Sequence, residues 1–154
     1  MDPYDALDQA GLQLPALTVP GGAYVPFQRF GDLLITSGQL PLVDGGIPTT
    51  GILGQEVTTE QGADLARICG LNILAIADDV APSLRDVTVL KLTVFVASAP
   101  GYDEQAKVAN GASELLNEVL GERGRHARSA VGVAALPRQS PVEVEAILSI
   151  TPQG

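Results

Sequence analysis

Apolar positions recur along this chain with two periods, and each period marks a different kind of element. From position 58 to 80 the spacing is helical, through Ala66, Cys69, Ile73, Ile76 and Val80. Thr59 and Glu60 offer a capping context at its start, and Pro82 closes it. A second helix follows Pro100 and Gly101, with Val108, Ala112, Leu115 and Val119 as its stripe and Gly121 as its stop. The period of two predicts strands over Val87–Ala97, over 127–134 and over Val142–Ile150, the last two around a turn at 137–141. Two shorter strands, 23–30 and 33–37, flank a turn at Gly31 and Asp32. A short helix opens the chain, with Asp2 as cap, Pro3 in the first turn and Gly11 as end, and an extended lead-in covers 14–22. Residues 38–56 hold five glycines and two prolines, which predicts a long loop.

The order is therefore strand, strand, helix, strand, helix, strand, strand. Each long helix has one apolar stripe, so both belong on one face of a single sheet, an α+β arrangement in one domain over 1–154. The other face is the informative one. In the last strand Val142, Val144, Ala146, Leu148 and Ile150 point one way and Glu143, Glu145, Ile147 and Ser149 the other. In 87–97, Leu90, Leu92, Val94 and Val96 share the helix side, and Val89, Lys91, Thr93 and Phe95 face away. Assigning Ser129, Val131 and Val133 to the helix side puts Arg128, Ala130 and Gly132 opposite. Small apolar residues mixed with a few charges predict a subunit interface with polar pockets.

Composition narrows the function. With 154 residues and 45% hydrophobic content the chain can build one core, and 4% aromatics make that core aliphatic. A net charge of −9 argues against nucleic acid as partner. Cys69 is the only cysteine, which rules out an intrachain disulfide and a Cys-rich zinc site. His126 is the only histidine, so neither a metal site nor a Ser-His-Asp triad is indicated, and a surface or interface imidazole is the expected role. The N-terminus is acidic and no apolar run approaches the roughly 20 residues needed to span a bilayer. These features read as a cytoplasmic protein with no membrane association.

Arg128 carries the strongest chemical signal. An arginine inside a strand, followed by small residues, leaves room for a ligand, and its planar fork matches a carboxylate. From composition alone, an interface arginine paired with Glu143 or Glu145 is the plainer reading. Those two glutamates share a strand face, where mutual repulsion raises one pKa and suits acid/base work; solvated strand acids look the same. If the 137–141 turn is tight, Arg128 and Glu143 lie roughly 20 Å apart, and they could meet only through a bulge or across a subunit boundary. Gly38, after Ser37 at a strand end, could let a ligand approach the backbone.

The stretches Tyr24-Val25, Leu34-Ile-Thr-Ser-Gly-Gln-Leu-Pro41, Ala127-Arg-Ser-Ala-Val-Gly-Val-Ala-Ala-Leu-Pro137 and Val142-Glu-Val-Glu-Ala146 together resemble the RidA/YjgF family of reactive-intermediate deaminases, once labelled L-PSP endoribonucleases. The resemblance spans about residues 22–150, with a longer loop at 41–57 that marks a distinct branch. It implies a chorismate-mutase-like fold and a homotrimer with three clefts between subunits. It further implies that Arg128 grips a substrate carboxylate, that Glu143 positions or activates water, and that Tyr24, Ser37, Gly38, Asn110 and Ala130 line the cleft. The implied reaction is hydrolysis of 2-imino or enamino acids to 2-keto acids and ammonia, with no cofactor and no metal. A non-catalytic trimer that binds a small carboxylate, as a regulator or scavenger, is the alternative. Ala130 stands where the family often has cysteine, and Leu115 and Leu116 replace aromatics, which implies a changed cleft shape.

Overall fold

Five strands form one mixed sheet with two long helices on one face. The computed structural model describes residues 1–17 and 19–151; position 18 of the expected lead-in and positions 152–154 of the expected domain lie outside the described residues. In chain order the elements are α1 (Pro3–Gln9), β1 (Phe27–Phe30), β2 (Leu33–Thr36), α2 (Thr59–Val80), β3 (Val87–Ala97), α3 (Gln105–Leu120), β4 (Ala127–Val133) and β5 (Val142–Ile150). Strand order across the sheet is β1-β2-β5-β3-β4. β3 and β4 run parallel through the α3 crossover, while β5 lies antiparallel between β2 and β3.

Local chemistry accounts for most boundaries. The Asp2 carboxylate accepts from the Tyr4 amide, and Pro3 fills the first turn of α1. A reciprocal cap opens α2, one residue earlier than expected: Thr58 Oγ1 accepts from the Gln61 amide and the Gln61 side chain accepts from the Thr58 amide. Ala81 leaves the helix in extended geometry, as the residue before a proline prefers. Gly121 ends α3 at φ +60°. The first strand is shorter than expected, because 23–26 is irregular.

The core lies between the sheet and the helices. Ala66, Cys69, Ile73, Leu74 and Ile76 of α2 and Val108, Ala112, Leu115, Leu116 and Val119 of α3 are buried against Leu34, Leu92, Val94, Val96, Val142, Val144 and Leu148. α1 is tied to this body at two points. Tyr4 Oη donates to Asp78 at 2.7 Å and accepts from the Leu84 amide at 3.1 Å, and Arg85 pairs with Asp2.

Three expectations about faces need correction. β4 and β5 are not neighbours, since β3 lies between them. The β3 alternation reverses at Leu90, where two residues of β3 span one step of β5 between the Val89–Leu148 and Lys91–Ile147 pairs. That bulge leaves Val89 buried and Leu90 41% exposed. The faces of β4 are also inverted. Its register pairs Arg128 with Leu92, Ala130 with Val94 and Gly132 with Val96, and paired residues share a face. Arg128, Ala130 and Gly132 therefore lie on the helix side. Ser129 accepts from Lys91 Nζ at 2.9 Å on the open face, where Val131 is 42% exposed.

The open face also carries Phe30, Leu33, Ile35 and Ile147, all exposed, beside Glu143 and Glu145. No described helix is long and apolar enough to cross a membrane.

Candidate active site

Arg128 enters the site from the edge strand β4 and is held by α3. Positions 106, 110 and 113 follow one another at intervals of four and three, so they line one side of that helix. Nη1 of Arg128 donates to Asn110 Oδ1 at 2.8 Å and to Ser113 Oγ at 3.1 Å, and Nη2 donates to the Ala106 carbonyl at 3.3 Å. These bonds use three of the five guanidinium N–H groups. The Nε edge donates no hydrogen bond to a described residue. No carboxylate pairs with Arg128 among the described residues, which sets aside a partnership with Glu143 or Glu145 in the same chain. Ser113, Asn117, Arg125, His126 and Arg128 line the open cleft at this corner.

His126, expected as a surface or interface imidazole, is half-buried and makes two hydrogen bonds. Its Nδ1 lies 2.6 Å from the Gly124 carbonyl and its Nε2 2.9 Å from Ser113 Oγ. Sequence reasoning missed Ser113 altogether. The signal was present, since a serine three residues after Asn110 interrupts the apolar composition on the side of α3 that faces Arg128.

The remaining expected residues gather elsewhere. Tyr24, Ser37 and Gly38 line a cavity of about 450 Å³ whose walls include Pro15, Pro20, Ile76 and Arg138. Ser37 Oγ donates to the Val25 carbonyl at 2.5 Å. Asn72, buried on α2, holds the adjoining loop by donating to the carbonyls of Leu40 and Leu42. Gly38 sits in a bulge: between the Ile35–Ile147 pair and the Gln39–Val144 bridge, four steps along one strand face three along the other. Thr36 Oγ1 takes up the Ala146 amide there, at 3.0 Å.

Glu143 leans across that bulge. A Cβ built on Gly38 would lie 2.1 Å from Glu143 Oε1, so only glycine allows this approach. Neither carboxylate oxygen accepts a hydrogen bond from a described residue. Partial burial, and then the nearby Glu145 charge, hold the Glu143 carboxyl above its ordinary pKa.

Arg128 with Asn110 and Glu143 with Gly38 do not meet within one chain. Arg128 pairs with Leu92 and Glu143 with Phe95, two strands and three residues apart. Standard strand dimensions put their Cα atoms roughly 14 Å apart, and their side chains leave opposite faces of the sheet. Ala130 packs toward the core below Arg128. Leu115 and Leu116 are fully buried, and Ser113 and Asn117 line the open cleft beside Arg128. Cys69 is wholly buried, which pushes its thiol pKa well up. Among the described residues no three His, Cys, Asp or Glu side chains gather as a metal site would require.

Known proteins match this architecture closely. A family model described as "YjgF/chorismate_mutase-like, putative endoribonuclease" matches residues 5–147. Protein TCP17 of Trypanosoma cruzi is 44% identical over 146 residues, covering 94% of this chain and 91% of that one. The crystal structure of Atu1372, a protein of unknown function from Agrobacterium tumefaciens, superposes with a TM-score of 0.87 at 43% identity, covering 96% of this chain and 92% of that one. The 2-iminobutanoate/2-iminopropanoate deaminase of Salmonella typhimurium is 32% identical over 126 residues, 82% of this chain and 86% of that protein. The motifs around Ser37–Gly38 and Arg128, the mixed sheet and these matches agree: the chain belongs to the RidA/YjgF family, with the YjgF/chorismate mutase-like fold.

Proposed function

We propose that the protein hydrolyses small 2-imino and enamino acids to 2-keto acids and ammonia, in a homotrimer whose clefts each draw on two subunits. The observation that carries this reading is the state of Arg128, a guanidinium anchored on three sides with no acid partner among the described residues and one edge open. An arginine so held is ready for a bidentate carboxylate. The deaminase named among the relatives supports the choice of an imino acid as the molecule bearing that carboxylate.

The separation of the two half-sites supports the shared cleft. Arg128 and Asn110 lie at the β4 edge, while Gly38 and Glu143 lie toward the other side of the sheet. One chain alone cannot bring them to one substrate. The exposed apolar residues of the open sheet face, Phe30, Ile35 and Ile147 among them, offer the surface that assembly would cover.

The chemistry asks little of the protein. The imine carbon is already electrophilic, so no cofactor is called for. Arg128 fixes the carboxylate and thereby the position of the adjacent C=N carbon. Glu143, whose raised pKa makes it a better base than an ordinary carboxylate, takes a proton from water as its oxygen bonds to that carbon. Glu143 gives that proton up to the nitrogen, giving a carbinolamine and restoring the carboxylate. Its hydroxyl proton then passes to nitrogen, the C–N bond breaks, and ammonia leaves behind the 2-keto acid.

The test is to generate 2-aminoacrylate or 2-iminobutanoate in situ and follow keto-acid release with and without the protein, on samples of measured oligomer mass. Accelerated release by a trimer supports the reading. Binding of 2-oxobutanoate with no acceleration would replace it with a carboxylate-binding trimer.

A further inference from the structure

The hydrogen bonds around His126 have a fixed direction. The Gly124 carbonyl can only accept, so the imidazole Nδ1 at 2.6 Å carries the proton. In the neutral ring Nε2 is then a lone pair, and the Ser113 hydroxyl 2.9 Å away donates to it. With its proton turned toward the ring, Ser113 Oγ presents lone pairs to its other neighbour, Arg128 Nη1 at 3.1 Å. That same nitrogen donates its second proton to Asn110 Oδ1 at 2.8 Å. Both protons of Nη1 are thereby assigned, which sets the plane of the guanidinium. Remove the acceptor at Nε2, and the Ser113 hydroxyl is free to turn its own proton toward Nη1, which repels it.

We propose that His126 is a positioning residue for Arg128, acting through Ser113 to turn the open guanidinium edge toward the substrate carboxylate. This rests on reading Arg128 as the carboxylate clamp. It assigns a role to the one histidine of the chain, which neither touches the reacting atoms nor belongs to a metal site.

Two kinds of measurement test it. The first is spectroscopic. Because His126 is the only histidine, a multiple-bond ¹⁵N–¹H spectrum reports its ring without assignment ambiguity. The expected form is the Nδ1–H tautomer, the minor one in free imidazole side chains; an Nε2–H tautomer overturns the proposal. The second compares His126→Leu, Ser113→Ala and the double variant, each checked for native circular dichroism and oligomer mass. Each single change should weaken 2-oxobutanoate binding and raise KM for the imine about three- to tenfold, with kcat within about twofold. The double variant should be no worse than either single one, since both break the same link. His126→Gln, whose Oε1 replaces Nε2 as acceptor, should recover most of the loss.

Multiplying effects in the double variant, or wild-type binding and KM in folded His126→Leu, would overturn the proposal. Should the leucine variant fail to fold, the tautomer and the glutamine rescue still decide. Wild type that binds 2-oxobutanoate without turnover overturns the deaminase reading alone, and the binding and tautomer measurements still judge His126. Wild type that does neither overturns both.

Discussion

Arg128→Lys keeps the charge at the clamp and removes its geometry. Lysine has no fork, and its single ammonium cannot reproduce the bonds to Asn110, Ser113 and the Ala106 carbonyl. Charge-assisted hydrogen bonds in a shielded site are worth about 1.5–3 kcal/mol, which at about 1.36 kcal/mol per tenfold means a loss of roughly ten- to a hundred-and-fifty-fold in kcat/KM. Arg128→Ala should lose more. Stability should suffer little, on the order of 1 kcal/mol, because the side chain is only partly buried on an edge strand. The assay couples in situ imine generation to keto-acid detection, with oligomer mass read on the same samples. An arginine that served assembly instead would give dissociated variants with full activity in whatever trimers remain. Wild-type turnover in a trimeric Arg128→Ala sample would refute the clamp.

Gly38→Ala puts a methyl group where Glu143 Oε1 now lies; the flexible carboxylate must swing away, so kcat should fall on the order of ten- to a hundredfold with the melting temperature nearly unchanged, as paired kinetics and calorimetry will read. Glu143 has a folded pKa above its unfolded one, so its ionised form opposes folding at neutral pH, and that opposition fades as pH falls through the raised pKa. Glu143→Gln should therefore melt higher than wild type near neutral pH, converge with it in acid, and lose turnover; wild-type turnover should show an acid limb above the ordinary carboxylate range. Cys69→Ala, a truncation in the buried face of α2, should cost about 1 kcal/mol in a denaturant titration and leave turnover intact.

Much of this fold could be read from the residues, and the failures share one cause. β5 has the expected limits and faces, because it is buried on the helix side along its whole length. The faces of β4 are the reverse of those its sequence suggests. Alternation separates the two faces of a strand without saying which is covered, and hydrophobicity alone points Val131 and Val133 inward. β4 is an edge strand, with Arg128 against a polar side of α3 and Val131 on the open face. The bulge at Leu90 was invisible for a similar reason, since one extra residue shifts the pattern only when the partner strand is known. Arg128, Asn110, Gly38 and Glu143 stand out in the sequence through the family motifs. Ser113 and His126 do not, because their role depends on a helix and a strand end meeting in space.

The central claim is that Arg128 and Glu143 act on one substrate from two different chains. Mixing two inactive variants, Arg128→Ala and Glu143→Gln, by co-expression or joint refolding tests it directly, with native mass spectrometry confirming mixed trimers. In a head-to-tail ring with random mixing at equal amounts, about one cleft in four pairs an intact arginine with an intact glutamate. Turnover should therefore return to about a quarter of wild type, although neither parent is active. Mixed trimers that stay as inactive as their parents would mean that the two residues serve one chain or no common cleft, and the shared-site account would be wrong.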